Sequence, residues 1–179
     1  MLKEYTTIKA WFTLTGVALF ALLPILFASM QPVAEAAKVK EKTATTSWTK
    51  CTGTTCVDTV IIGTHRGSTK TLSFEETTYN KNTGKVMNRR GGFARHVNFK
   101  QNGLKSASVD AWVPVERCNA QDVCKKAGSV HVKASWTGTG KAWVDRELGK
   151  RLRDAKVTDS VDGKKFGNVN FATLAEDIT

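Results

Sequence analysis

Small or branched apolar residues at every second position over 106–116, with mostly polar residues between them, limit what this chain can fold into more than any other feature. The apolar positions are Ala107, Val109, Ala111, Val113 and Val115, and the alternate positions include Ser106, Ser108, Asp110, Trp112 and Glu116. The pattern returns further along, where Val130, Val132, Ala134 and Trp136 alternate with Ser129, His131, Lys133 and Ser135. A period of two is typical of a strand with one buried face, so both segments are predicted as half-buried strands.

The rest of the chain is also rich in β-forming sequence. Further strands are predicted at 57–62, 69–79, 86–87, 93–99 and 157–161, with turns at 80–84, 101–103 and 162–163. In the segment 93–99 we expect Phe93, Val97 and Phe99 to point inward, after an interruption at 89–92. Short strands separated by frequent turns predict an all-β protein, an antiparallel β-sandwich of immunoglobulin-like architecture, with a small β-barrel as the alternative.

The segment 142–155 fits two interpretations. Val144, Leu148 and Leu152 are spaced as on one face of a helix. Gly149 lies inside this stripe, and β-rich sequence flanks it on both sides. We therefore expect an irregular strand bulged at Gly149, and the helix stays open as the alternative.

The N-terminal region has the pattern of an export signal. Residues 10–30 are almost wholly apolar, and an Ala-x-Ala site at Ala34 and Ala36 follows. Residues 1–37 are therefore predicted to be a signal peptide, with an uncleaved leader anchored in a membrane as the alternative, because about 20 apolar residues can span a bilayer. Residues 38–47 are expected to form a flexible charged arm, and 48–179 a single domain.

The four cysteines fall in two close pairs behind this leader. An even cysteine count in an exported chain indicates disulfides, and we expect Cys51–Cys56 and Cys118–Cys124 because turn-like residues separate each pair. The spacing does not match the usual zinc-binding pattern. The cysteines and the leader together predict a secreted protein, extracellular or in the cell envelope.

The formal net charge of +11 predicts anionic partners. Arg89, Arg90 and Arg95 form the basic cluster that we expect to contact them. The expected partners are an anionic surface polymer, a glycan or lipid headgroups. Nucleic acid is expected only as a non-specific partner, and a membrane only through an uncleaved leader.

One outer surface is predicted by strand parity. If 101–103 is a three-residue turn, His96 faces Ser108 or Asp110 on the side opposite the core, close to Trp112. His131 and Lys133 face outward on a second strand. An outward tryptophan among polar side chains is typical of a glycan or partner contact. His96, Asp110 and His131 could also hold a metal ion if the two strands are neighbours.

No standard catalytic or cofactor-binding motif occurs in the sequence, so we expect no cofactor. The favoured interpretation is a secreted, disulfide-bonded binding or envelope-associated module for anionic surfaces or glycans. A small extracellular metal-dependent enzyme or hydrolase is the first alternative. A structural subunit that assembles through sheet edges is the second.

Overall fold

The computed structural model describes residues 40–165 and 169–178, and the regular secondary structure there is entirely β-strand. The strands are β1 (Glu41–Thr52), β2 (Thr55–Arg66), β3 (Thr69–Asn80), β4 (Val86–Arg95), β5 (Lys100–Asn102), β6 (Ser106–Asn119), β7 (Cys124–Gly138), β8 (Trp143–Asp145), β9 (Lys150–Val161), β10 (Lys164–Lys165) and β11 (Val169–Asp177). The predicted leader at 1–37 lies outside the described residues.

The strands pair in a closed ring. Every pairing is antiparallel, β9 pairs with both β7 and β11, and β11 pairs with β1. Among the described residues, three short strands lie in line with longer ones: β5 with β4, β8 with β7 and β10 with β11. The eleven strands therefore occupy eight positions in the ring. The all-β antiparallel class is confirmed, and each position in the ring pairs with the position that follows it along the chain.

The two ends of this closed sheet differ. We call the upper end the one with the turns after β1, β3, β6 and β9, and the lower end the one where β1 begins and β11 ends. Both predicted disulfides are confirmed, and both lie at the upper end. Cys51–Cys56 and Cys118–Cys124 each join residues that face one another directly in a hairpin, with Cα atoms 4.0 and 3.9 Å apart.

Large side chains fill the interior of the closed sheet. The fully buried members include Trp136, Phe74, Phe99, Ile61, Leu72, Leu174, Val113, Val130 and Val132. The Trp136 indole donates a hydrogen bond to the Thr45 carbonyl of β1, 3.1 Å away. The Phe99 ring covers Gly63, where an added Cβ would lie 2.5 Å from the ring. Because the interior is closely packed, we expect a binding site to lie on the outer surface.

Residues 41–47 are not the flexible arm that their composition predicts. They form the first half of β1, which pairs with β2 on one side and β11 on the other. Ala44 and Thr46 point inward and are fully buried. Strand pairing on both sides and two buried positions outweigh the polar, Thr-rich sequence of this segment.

The expected interruption at 89–92 is absent, because β4 continues through it to Arg95. Phe93 points outward and is half exposed, which corrects its predicted core position. β4 ends just before His96, which has a left-handed backbone with a φ of 57°. This residue reverses which face of the sheet the following side chains point to, so Phe99 is buried. The parity rule therefore failed where a left-handed residue broke the strand.

Two further turns differ from expectation. Lys100 pairs with Ser108, so the chain reverses over 103–105 rather than 101–103. Segment 142–155 is β-structure, as expected, and forms β8 and the start of β9. Gly149, at a φ of 61°, lies in the turn between them and not in a bulge.

Candidate functional site

The outward residues of β6 and β7 form one continuous polar surface. Trp112 pairs with His131, Asp110 with Lys133, Ser108 with Ser135 and Ser106 with Thr137. Residues that pair directly share a face of the sheet, and their neighbours point into the core. We call these eight residues, together with Lys100 opposite Ser108, the polar stripe.

At its upper part, the polar stripe holds an imidazole between a carboxylate and an indole. His131 Nε2 lies 2.7 Å from Asp110 Oδ1, and Lys133 Nζ lies 3.8 Å from Asp110 Oδ2. The Trp112 ring stacks on the His131 ring, with centroids 4.8 Å and planes 22° apart. Trp112 is nevertheless 64% exposed. Asp110 contacts the edge of the His131 imidazole, and Trp112 covers one of its faces. The imidazole, fixed in this way, orients the indole of Trp112.

Asp162 fixes the backbone beneath this cluster. Its Oδ1 accepts a hydrogen bond from the His131 amide, and its own amide donates to the His131 carbonyl, both at 2.9 Å. Sequence reasoning used Asp162 only as part of an Asp-Gly turn. The turn is present, with φ of 49° at Asp162 and 74° at Gly163, as a two-residue hairpin requires. The turn sequence did not indicate the link to His131, which depends on the pairing of β7 with β9.

The lower part of the stripe borders an open groove of about 420 Å³. Its polar lining consists of Lys100, Gln101, Asn102, Ser106, Ser108, Ser135 and Thr137. Trp112 follows Ser108 by four residue steps along β6, a distance of about 14 Å along an extended strand. Hydroxyls, an amide and an ammonium group thus lie in line with an exposed aromatic ring. The sequence did not predict most of these groove residues as site residues. Their positions along the strands nevertheless place them on the same face as Trp112 and His131.

The predicted basic cluster does not form a single patch. Arg90 points inward, where its Nη2 lies 2.7 Å from Glu76 Oε2 and its guanidinium lies over the Phe74 ring. Arg89 instead pairs with Asp122 at 3.2 Å. The prediction that the arginines contact one partner together therefore has no support from their positions.

Within the described residues Arg95 pairs with Thr71 of β3, and no strand pairing joins Arg95 or His96 to the polar stripe. The Arg95 guanidinium is 5.8 Å from the centroid of the exposed Phe93 ring. His96 follows β4 and lies next to the β3 side, where the Val97 amide donates to the Lys70 carbonyl. The expected pairing of His96 with Asp110 or Ser108 is wrong, because Lys100 occupies the position opposite Ser108.

The hypothetical metal site is likewise not assembled. Asp110 contacts His131, but His96 does not join them, and within 40–165 and 169–178 no group of three or more metal-binding side chains occurs. Asp110 and His131 remain a pair that is open to solvent.

A second polar cluster lies on the outer surface of β1, β2 and β3. Asp58 accepts hydrogen bonds from Thr49 Oγ1 at 2.6 Å and from the Tyr79 hydroxyl at 3.3 Å. Asn170 Nδ2 donates to Thr49 Oγ1 at 2.7 Å. Burial, followed by the nearby Asp58 charge and its hydrogen bond, raises the pKa of Tyr79 above 10.0. This cluster joins three strands and the start of β11.

These features define a disulfide-bonded all-β protein with a filled interior and an ordered polar face on the outside. The chain matches no family model, no curated protein and no solved structure. Across the described residues no helix is long and apolar enough to cross a membrane. The two disulfides are compatible with an extracellular location.

Proposed function

We propose that this protein is an exported, non-enzymatic binding module for anionic glycans and that the polar stripe is its binding face. The observation behind the proposal is the exposed Trp112, which stacks on His131 while Asp110 holds that imidazole. An exposed aromatic ring that is already oriented loses little conformational entropy when a sugar ring packs against it.

The groove beside Trp112 supports a saccharide ligand. Sugar hydroxyls need donors and acceptors, and Ser106, Ser108 and Asn102 supply them along the groove. The distance of about 14 Å between Trp112 and Ser108 favours an extended chain over a single small molecule.

The charge of the stripe supports an acidic glycan. Lys100 is exposed and forms no ion pair with a described residue, and Lys133, also exposed, lies 3.8 Å from Asp110, which contacts His131 as well. The chain as a whole has a formal charge of +11. Positive potential attracts an anionic polymer and makes its binding sensitive to salt.

The test is affinity electrophoresis of the protein and its variants in gels that contain polygalacturonate, an acidic polysaccharide. Trp112→Ala should weaken the retardation about tenfold or more, as expected for a central aromatic contact. Lys100→Ala and Lys133→Ala should each weaken it less and reduce its dependence on salt. Trp112→Phe should retain part of the binding because an aromatic ring remains.

Trp143→Ala is the matched control, because Trp143 is also exposed but lies near the lower end. It should leave the retardation unchanged. The proposal fails if Trp112→Ala binds polygalacturonate as the unmodified protein does. It also fails if neutral dextran retards the protein as strongly as polygalacturonate, since the lysines would then have no role.

A further inference from the structure

The lower end of the closed sheet exposes a group of apolar side chains. Val144 in β8, Leu148 in the following turn and Ile178 after β11 are 53%, 63% and 44% exposed. Ile178 donates a backbone hydrogen bond to the Gly149 carbonyl, which holds the C-terminal segment against this turn. We call Val144, Leu148 and Ile178 the lower apolar patch. Trp143, also partly exposed, is adjacent in β8.

Basic residues accompany this patch, and most nearby acidic residues are already neutralised. Lys150 contacts Glu41 at 2.7 Å and Asp177 at 3.9 Å, and Arg151 Nη1 lies 3.9 Å from Glu176. By contrast, Lys40, Lys141 and Arg146 are exposed, and they form no ion pair with any described residue. Their charge is therefore available to an anionic surface. The opposing charges are Glu147 and Asp145, whose Oδ1 accepts hydrogen bonds from the Glu147 and Leu148 amides.

The chain outside the described residues joins the fold at this same end. Lys40 lines a groove together with Val144 and Ile178. Ten residue steps separate it from Met30, the last residue of the apolar run, which is at most about 35 Å of extended chain. A leader that enters a bilayer during export or as an anchor therefore tethers the lower end near the lipid surface.

We infer that the lower end is a lipid-facing surface for an anionic bilayer. Val144, Leu148 and Ile178 enter the boundary between headgroups and acyl chains, Trp143 lies at the interface, and Lys40, Lys141 and Arg146 contact anionic headgroups. Aliphatic tips, a tryptophan and basic residues are the combination that interfacial binding uses. A second copy fits this surface less well, because a symmetric contact would bring the same unpaired cations face to face. The inference does not depend on the glycan-binding proposal, because the polar stripe contributes no residue to this surface.

Quenching of tryptophan fluorescence by brominated lipids tests this inference whether or not the leader is cleaved. The full chain is expressed, the product is purified, its N-terminus is established by intact mass, and it is mixed with or reconstituted into vesicles. The difference between the unmodified protein and Trp143→Phe isolates the Trp143 signal. On vesicles of phosphatidylcholine with brominated phosphatidylglycerol, we expect Trp143 to lose about half of its fluorescence, as an interfacial indole does.

The matched controls use residues elsewhere in the fold. The signal of Trp112, isolated with Trp112→Phe, should not be quenched. Val144→Asp should abolish quenching of Trp143, whereas Val123→Asp, at an equally exposed valine of the upper end, should not. Because these variants change exposed side chains, circular dichroism should show an unchanged fold.

Three results would overturn the inference. The first is an unquenched Trp143 on anionic vesicles, and the second is equal quenching when brominated phosphatidylcholine is the only lipid. The third is sedimentation that shows a dimer without lipid which Val144→Asp dissociates, since the patch would then bind a second copy.

Discussion

Two tryptophans of the β6–β7 hairpin lie on opposite faces of the same sheet. Trp136 in β7 points into the closed sheet and is 1% exposed, whereas Trp112 in β6 points out and is 64% exposed. One makes a hydrogen bond across the interior to Thr45, and the other stacks on a surface imidazole. Residue type says nothing about this difference. The parity of each residue along its strand decides it, so inner and outer faces should respond differently to the same substitution.

The largest expected effect comes from Trp136→Ala. Removing a fully buried indole leaves a cavity and deletes its hydrogen bond to the Thr45 carbonyl, so the free energy of unfolding should fall by about 3–5 kcal/mol. Chemical denaturation followed by circular dichroism measures this change. Trp112→Ala is the control and should cost less than ~1 kcal/mol, because its ring stays largely in water in the native state. Equal losses for the two variants would mean that a second layer covers the outer face.

A smaller effect is expected where the interior is tightest. In Gly63→Ala the new methyl would collide with the Phe99 ring, and overpacking of this kind costs about 1–3 kcal/mol. The same denaturation assay measures the loss. Phe99→Leu supplies the control in a double-mutant cycle, because the combined variant should lose less stability than the sum of the two single changes. Strict additivity would show that the ring does not cover Gly63.

The smallest effect concerns the outer cluster around Tyr79. Its raised pKa means that the folded protein favours the neutral phenol. This stabilisation is complete below the unfolded pKa near 10 and disappears as the pH rises through the folded pKa. Absorbance titration should therefore show a tyrosinate transition above pH 10 that Tyr79→Phe removes, leaving only Tyr5 where the leader is retained.

Asp58→Asn provides the control for Tyr79. It removes the nearby negative charge and should lower the tyrosine transition only in part, because burial is the larger cause of the shift. A transition of Tyr79 at its ordinary position would show that water reaches this part of the outer surface as freely as it reaches Trp112.

Several parts of this structure could be predicted from sequence because a period of two determines which side of a sheet a residue occupies. The inner face of β6 and β7, the outward Trp112 and His131, and both disulfides follow from alternation and spacing. Such local rules work wherever the strand is regular.

The remaining features depend on where strands break and which strands meet. The left-handed residue at His96 reverses the face of the following chain, so Phe93 and the position of His96 were predicted wrongly. β1 has few apolar residues and is held as a strand by two neighbours, one of them from the far end of the chain. The link from Asp162 to His131 likewise requires the pairing of β9 with β7. No local pattern encodes contacts of this range.

Closure of the ring by β1 and β11 has a consequence for how the protein is made. The Glu41 amide donates a hydrogen bond to the Asp177 carboxylate, 136 residues away in the sequence. The two cysteines of each disulfide, by contrast, are only five or six residues apart. Each hairpin can form as soon as both of its strands have been synthesised, but β1 lacks one neighbour until β11 has followed. Synthesis of β11 must therefore be finished before β1 and β11 can pair, and folding with such non-local contacts is slow. Until then the exposed edge of β1 is the part of the chain most open to mispairing and to chaperones.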